Sequence, residues 1–136
     1  MTASDRAPVR VLVAEDYPDT RRTLCLLLRS WGYEVREAAD GQEALRLAGD
    51  FFPEVVILDL AMPGLDGYEV ARRLRAPAQG FRPLLIALTA YTDRAHVGAA
   101  LEAGFDHFLA KPCSPGQVDF LLRSFLRAEW QSTASV

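Results

Sequence analysis

Short apolar runs alternate along this chain with longer stretches whose apolar residues recur every three to four positions. Residues 9–14 (VRVLVA), 33–38 (YEVREA), 54–59 (EVVILD), 83–89 (PLLIALT) and 105–110 (FDHFLA) have the length and composition of strands. The stretches between them predict helices. After Asp19, the residues Leu24, Leu27, Leu28 and Trp31 follow i, i+3, i+4, i+7 spacing, and Gly32 supplies a stop. Asp40 precedes Glu43 by three positions and Asp66 precedes Glu69 likewise, so each pair predicts a helix start. Gly49 and Gly104 stand where helices are expected to end. The last helix opens at Ser114-Pro115-Gly116-Gln117, a cap, a proline in the first turn and a capping partner. Its apolar stripe of Val118, Leu121, Leu122, Phe125 and Leu126 must pack on something.

Five strands alternating with five helices predict an α/β fold, a parallel sheet covered on both faces. Strands one, three and four are almost wholly apolar and belong at its centre. The second strand carries Glu34, Arg36 and Glu37 and suits an edge. Right-handed crossovers then favour the strand order 2-1-3-4-5.

Composition narrows the class without changing that picture. A chain of 136 residues, 50% apolar and 24% charged, suits one globular domain. No run is long enough to span a bilayer, and MTASDRAPVR lacks the apolar core of a signal peptide, so a soluble cytoplasmic protein is expected. Cys25 and Cys113 lie far apart and suggest neither a disulfide framework nor a zinc site; Cys25, among leucines, is expected in the core. A formal net charge of −3 speaks against direct DNA binding.

Candidate chemistry appears where the strands stop. In an open parallel sheet, ligands bind beyond the carboxyl ends of the strands, at the point where strand order reverses. Strand one ends in Glu15-Asp16, strand three in Asp59 and strand four in Thr89, and strand five is followed by Lys111-Pro112. Three crowded carboxylates repel one another unless a cation compensates, and Mg²⁺ is a hard ion suited to oxygen ligands. With that charge offset, one carboxylate can attack phosphorus and form an acyl phosphate. An ammonium and a short hydroxyl would then meet the phosphoryl oxygens. Of the 15 lysines and arginines, Lys111 is the sole lysine, which suggests that a compact ammonium is needed at that place.

The motifs VLVAED, VVILDLAMPGLDGYEV, IALTA and FLAKP, in this order, resemble those of receiver domains of two-component response regulators. The resemblance covers roughly residues 10–127 and implies a single flavodoxin-like (βα)5 domain over residues 9–128, with short tails at 1–8 and 129–136. It implies that Asp59 is the phosphoacceptor for a sensor histidine kinase or histidine phosphotransfer protein. By the same resemblance Glu15, Asp16, Asp59 and the backbone carbonyl of Ala61 hold Mg²⁺, and Lys111 contacts phosphate, with a cis peptide to Pro112. Thr89 and Phe108 match a coupled switch that reshapes the surface of helix four, strand five and helix five. Tyr91, two residues after Thr89, is expected to shield the phosphoryl group and, like Ala61, to tune its lifetime. Such a module turns over only its own phosphoryl group and is not otherwise an enzyme. Its downstream partner is an unknown protein or a second copy docking on the switch face; no membrane partner is expected.

Other classes fit less well. A phosphatase of the haloacid dehalogenase type wants a second aspartate two residues after the first, where this chain has Ala61. A flavodoxin wants a loop rich in Ser, Thr and Gly after strand one, where this chain has EDYPD. An interaction module that never handles phosphate would not need the Glu15, Asp16, Asp59, Thr89 and Lys111 set. The receiver portion of a hybrid histidine kinase is the alternative setting for the same domain. His96 and His107 are expected at the surface or a strand end, Met62 and Pro63 in the loop beside the site, and Cys113 as a loop cysteine.

Overall fold

The structure, a computed structural model, describes residues 7–76 and 80–134, with side chains described as far as Leu126. Five strands form one parallel sheet in the order β2-β1-β3-β4-β5. The strands are β1 (Arg10–Ala14), β2 (Glu34–Ala38), β3 (Val55–Asp59), β4 (Leu84–Thr89) and β5 (His107–Ala110). The helices are α1 (Pro18–Ser30), α2 (Gly41–Phe51), α3 (Gly67–Arg75), α4 (Arg94–Ala103) and α5 (Pro115–Ala134). This is the flavodoxin-like order expected from the sequence, with β2 at one edge. The expected boundary at residue 128 falls within α5. The parts of the expected tails at 1–6 and 135–136 lie outside the described residues.

The period-two alternation of the central strands divides the core into two layers. Leu12, Val56, Leu58, Leu85 and Ala87 pack with Ala44, Ala48, Val70 and Leu74 of α2 and α3. Val11, Val13, Ile57, Ile86 and Leu88 pack on the opposite face with Leu24, Cys25 and Leu28 of α1 and Val118 and Leu122 of α5. β3 and β4 are buried along their whole length, as strands covered on both faces must be. Each strand begins one or two residues later than the apolar run suggests. At β5 the reason is visible, because the Phe105 amide still bonds the Ala100 carbonyl of α4.

Local capping chemistry sets most helix starts. Asp40 Oδ1 accepts from the Glu43 amide at 2.8 Å, and Asp66 Oδ1 from the Glu69 amide at 3.0 Å. Ser114 and Gln117 cap each other reciprocally, at 3.2 and 2.8 Å. Gly104 adopts the left-handed conformation (φ 109°) that ends α4, as the sequence suggests. Gly49 does not end α2. That helix runs on to Phe51 and is closed by Phe52, itself left-handed at φ 51°. Arg10 makes this ending tolerable: its guanidinium donates to the Phe51 carbonyl at 3.1 Å and to that of Phe52 at 2.9 Å, satisfying groups a helix end leaves open.

Candidate functional site

β1 and β3 are neighbours at the centre of the sheet, so the residues that follow them emerge side by side. Glu15 is 1% exposed and Asp59 3% exposed, while Asp16 projects into solvent. One carboxylate oxygen from each of Glu15, Asp16 and Asp59 can be chosen so that all lie within 4.8 Å of one another. β4 adds Thr89, also buried. β5 hands the chain to Lys111, whose amide is fixed to the Thr89 carbonyl at 2.7 Å and whose peptide to Pro112 is cis. Lys111 Nζ lies 3.0 Å from Asp59 Oδ2 and 3.0 Å from Glu15 Oε2.

The two ammonium contacts differ in kind. The one to Asp59 is a hydrogen bond. The one to Glu15 is a close charge contact without hydrogen-bond alignment, and Glu15 Oε2 has no hydrogen-bond partner despite its burial. Burial, then the shared contact with Asp59, pushes the Glu15 carboxyl above its ordinary range against the opposing pull of Lys111. Burial works to lower the Lys111 ammonium, but Glu15 and Asp59 outweigh it and the net direction is upward.

The loop after β3 is braced from both sides. The Ala61 amide donates to Asp59 Oδ1 at 3.0 Å, and the Gly67 amide reaches back to the Leu60 carbonyl at 3.2 Å. Gly67 has no room for a side chain: a Cβ there would overlap the Asp59 carbonyl oxygen and stand 2.9 Å from Leu60 Cα. Met62 is buried beneath the loop and Pro63 is exposed on it.

Thr89 Oγ1 is engaged with the backbone of Tyr91, accepting from its amide at 2.9 Å and donating to its carbonyl at 3.1 Å. Phe108 points outward, 41% exposed. A cleft of about 180 Å³ opens beside Asp59, walled by Ala61, Tyr68, Tyr91, His96 and Lys111. A larger cleft of about 520 Å³ lies between α1 and α5 and touches Lys111 from the other side, but its walls, Leu24, Leu27, Leu88 and Val118 among them, hold none of the three clustered carboxylates.

Sequence reasoning placed His96 at the surface and attached no chemistry to it. The ring is partly exposed, yet it lines the cleft and stacks on Tyr91 with centroids 4.8 Å apart. Its Nδ1 is 2.7 Å from Asp93 Oδ2, and Asp93 Oδ1 caps α4 by accepting the His96 amide. That amide and the ring hold the Asp93 carboxyl below its ordinary range. The Asp93–His96 spacing of three is a readable capping signal. His107, at the start of β5, is exposed and away from the cluster.

A family model of the response regulator receiver domain matches residues 11–123. The chain is 36% identical over 118 residues to the DNA-binding response regulator MtrA of Mycolicibacterium smegmatis, which covers 87% of the chain and 50% of the relative. It is 41% identical over 118 residues to a probable transcriptional regulator of Porphyridium aerugineum, covering 87% of the chain and 48% of the relative. The chain thus spans about half the length of these curated relatives. Among solved structures it is similar to a putative response regulator from Chloroflexus aurantiacus, with TM-score 0.81, 35% identity and coverage of 89% of this chain and 99% of that one. It is also similar to the receiver domain of a sensor histidine kinase from Pseudomonas aeruginosa with magnesium coordinated in its active site cleft, at TM-score 0.79, 35% identity and coverage of 87% and 97%. No helix among the described residues is long and apolar enough to cross a membrane. Fold, family match and solved relatives agree: the chain belongs to the response regulator receiver domain family.

Proposed function

We propose that Asp59 receives a phosphoryl group from the phosphohistidine of a sensor histidine kinase or histidine phosphotransfer protein, in the cytoplasm. The placement of Asp59 carries this reading: a buried carboxylate at the end of a rigid central strand, 3.0 Å from the Lys111 ammonium and open to a cleft on one side. In the transfer an Asp59 oxygen bonds to phosphorus, the phosphorus–nitrogen bond breaks with its electron pair returning to the donor imidazole, and an acyl phosphate results. Lys111 and the Thr89 hydroxyl are the donors that meet the phosphoryl oxygens.

Glu15, Asp16, Asp59 and the Ala61 carbonyl are the residues that would hold Mg²⁺. The all-oxygen donor set favours the fit, as does the buried Glu15 Oε2, which has the Lys111 charge beside it but no hydrogen bond. Bound there, the cation offsets the mutual repulsion of the carboxylates and the incoming phosphate.

The switch is a population shift. Thr89 gives up its bonds to the Tyr91 backbone and turns to the phosphoryl group; Phe108 moves inward; the face of α4, β5 and α5 changes shape. A difference of a few kcal/mol between the two arrangements suffices for a large response. That face is the docking surface for a downstream protein or a second copy. Tyr91, at the mouth of the cleft, keeps water from the phosphoryl group and lengthens the signal.

The test is incubation with Mg²⁺ and a small acyl phosphate, followed by intact mass measurement. One added phosphoryl group that disappears in Asp59→Asn is the expected result. No addition, or addition that persists in the variant, refutes it.

A further inference from the structure

We infer that His96 is the positioning residue for Tyr91, fixing its ring across the mouth of the Asp59 cleft and so setting how long Asp59 stays phosphorylated. The inference rests on the phosphoacceptor reading above and adds the residue that regulates that site.

Tyr91 is 56% exposed and sits in the loop between β4 and α4, where packing alone would leave its ring free to rotate. It is instead held at both ends. In this structure its backbone is pinned by Thr89 Oγ1, at 2.9 Å to the amide and 3.1 Å to the carbonyl. Thr89 gives up that tether when it turns to the phosphoryl group, so the Tyr91 ring contact is what remains once Asp59 is phosphorylated. Its ring lies nearly parallel to that of His96, 4.8 Å between centroids and 19° between planes. His96 has its own anchor, because Asp93 Oδ2 fixes Nδ1 at 2.7 Å while Asp93 Oδ1 caps the helix through the His96 amide. A chain that does not depend on Thr89 therefore runs from Tyr91 through His96 to Asp93. Tyr91 and His96 form one wall of the cleft that contains Asp59 and Lys111.

Hydrolysis of an acyl phosphate at Asp59 forms a bond from a water oxygen to phosphorus and breaks the bond from phosphorus to the Asp59 oxygen. Phosphate and the carboxylate are released, and the proton of the water passes to solvent. Attack needs the water to enter through the cleft. A ring held across its mouth by stacking and a tether obstructs that entry; a ring free to swing into solvent does not.

The test is a decay assay. Each variant is phosphorylated with a small acyl phosphate and Mg²⁺, freed of donor and followed by intact mass. His96→Ala is expected to lose the phosphoryl group about three- to tenfold faster than the wild-type chain, the range that loss of an aromatic stack supplies. His96→Phe, which keeps the stack, is expected to restore most of the lifetime. Tyr91→Ala should decay as fast as His96→Ala, and the double variant no faster than Tyr91→Ala. Asp93→Asn, which keeps the helix cap while removing the carboxylate from Nδ1, should fall between the wild-type chain and His96→Ala. Equal decay of His96→Ala and wild type overturns the inference and leaves the phosphoacceptor reading standing. So does an undiminished effect of His96→Ala in the Tyr91→Ala background. Failure of the wild-type chain to take up a phosphoryl group overturns both.

Discussion

Lys111 Nζ hydrogen-bonds Asp59 Oδ2 at 3.0 Å across 52 residues of sequence, and the same ammonium stands 3.0 Å from Glu15 Oε2. One cation thus serves two buried carboxylates that also crowd each other. Lys111→Met is expected to lower unfolding free energy by about 2 kcal/mol at neutral pH in the presence of chelator, since it leaves two buried charges without a counter-charge. The Glu15 carboxyl is held above its ordinary value of 4.5, so its charge disfavours the folded state at neutral pH and that penalty is relieved as pH falls through the raised value toward 4.5. The deficit of the variant should therefore shrink on acidification. For Lys111 the sign is the reverse in position: its folded value is raised above 10.5, so its contribution is complete below 10.5 and is lost only at higher pH. Denaturant titrations at pH 5 and pH 7.5, both far below the Lys111 range, read the Glu15 effect alone, and a deficit that grows on acidification would contradict the arrangement.

Removing and restoring Mg²⁺ tests the acidic cluster separately from phosphorylation. A ligand bound only by the folded state at a hundredfold excess over its Kd adds about 2.7 kcal/mol, several degrees in Tm for a domain of this size. The wild-type chain should show this rise on addition of Mg²⁺. Asp16→Asn and Asp59→Asn should each lose most of it. An equal rise in all three would place the cation elsewhere.

Two glycines make opposite predictions from the same substitution. Gly67→Ala brings a methyl group into the Asp59 carbonyl and to 2.9 Å from Leu60 Cα, backbone that cannot move without shifting Asp59 and the loop that follows it. A cost of about 3 kcal/mol or more is expected, with loss of phosphorylation. Gly49 lies within α2 and has nothing within 4 Å of a new Cβ. Gly49→Ala should stabilise by about 0.5–1 kcal/mol through helix propensity alone. Thermal denaturation of the pair checks the contrast.

What could be read in the sequence was either local or periodic. Apolar runs that stop on Glu15, Asp59 and Thr89 give both the strands and the edge where those residues meet, because a parallel sheet sends all its carboxyl ends to one side. Asp40, Asp66 and Ser114 announce helices because their partners lie three residues on. Gly49 misled because helix endings usually use glycine, whereas here Phe52 takes the left-handed position with Arg10, from β1, on its carbonyl. Arg75 gave no signal at all. Its guanidinium binds the Pro83 and Gly104 carbonyls and Asp106, 8, 29 and 31 residues away, and pins α3 to the start of β4 and β5. The stack of His96 on Tyr91 was equally hidden, since two rings five positions apart across a loop and a helix start have no fixed spacing rule.

The two cysteines should differ sharply in reactivity. Cys25 is fully buried between α1 and the sheet, and burial, with the nearby Glu37 charge, pushes its thiol up to about 11. The thiolate is the nucleophile, so at pH 8 ionisation alone slows alkylation of Cys25 by about 10²-fold relative to an ordinary exposed thiol. Burial pushes the Cys113 thiol up as well, but Cys113 is only half-buried, in the loop after the cis peptide. An uncharged alkylating reagent at pH 8 should therefore modify Cys113 first, more slowly than a free thiol, and reach Cys25 only as the whole domain unfolds. Peptide mapping over time with and without denaturant measures this. Native-state modification of Cys25 at the rate of Cys113 would mean that α1 opens from the sheet far more often than its packing of Leu24, Cys25 and Leu28 allows.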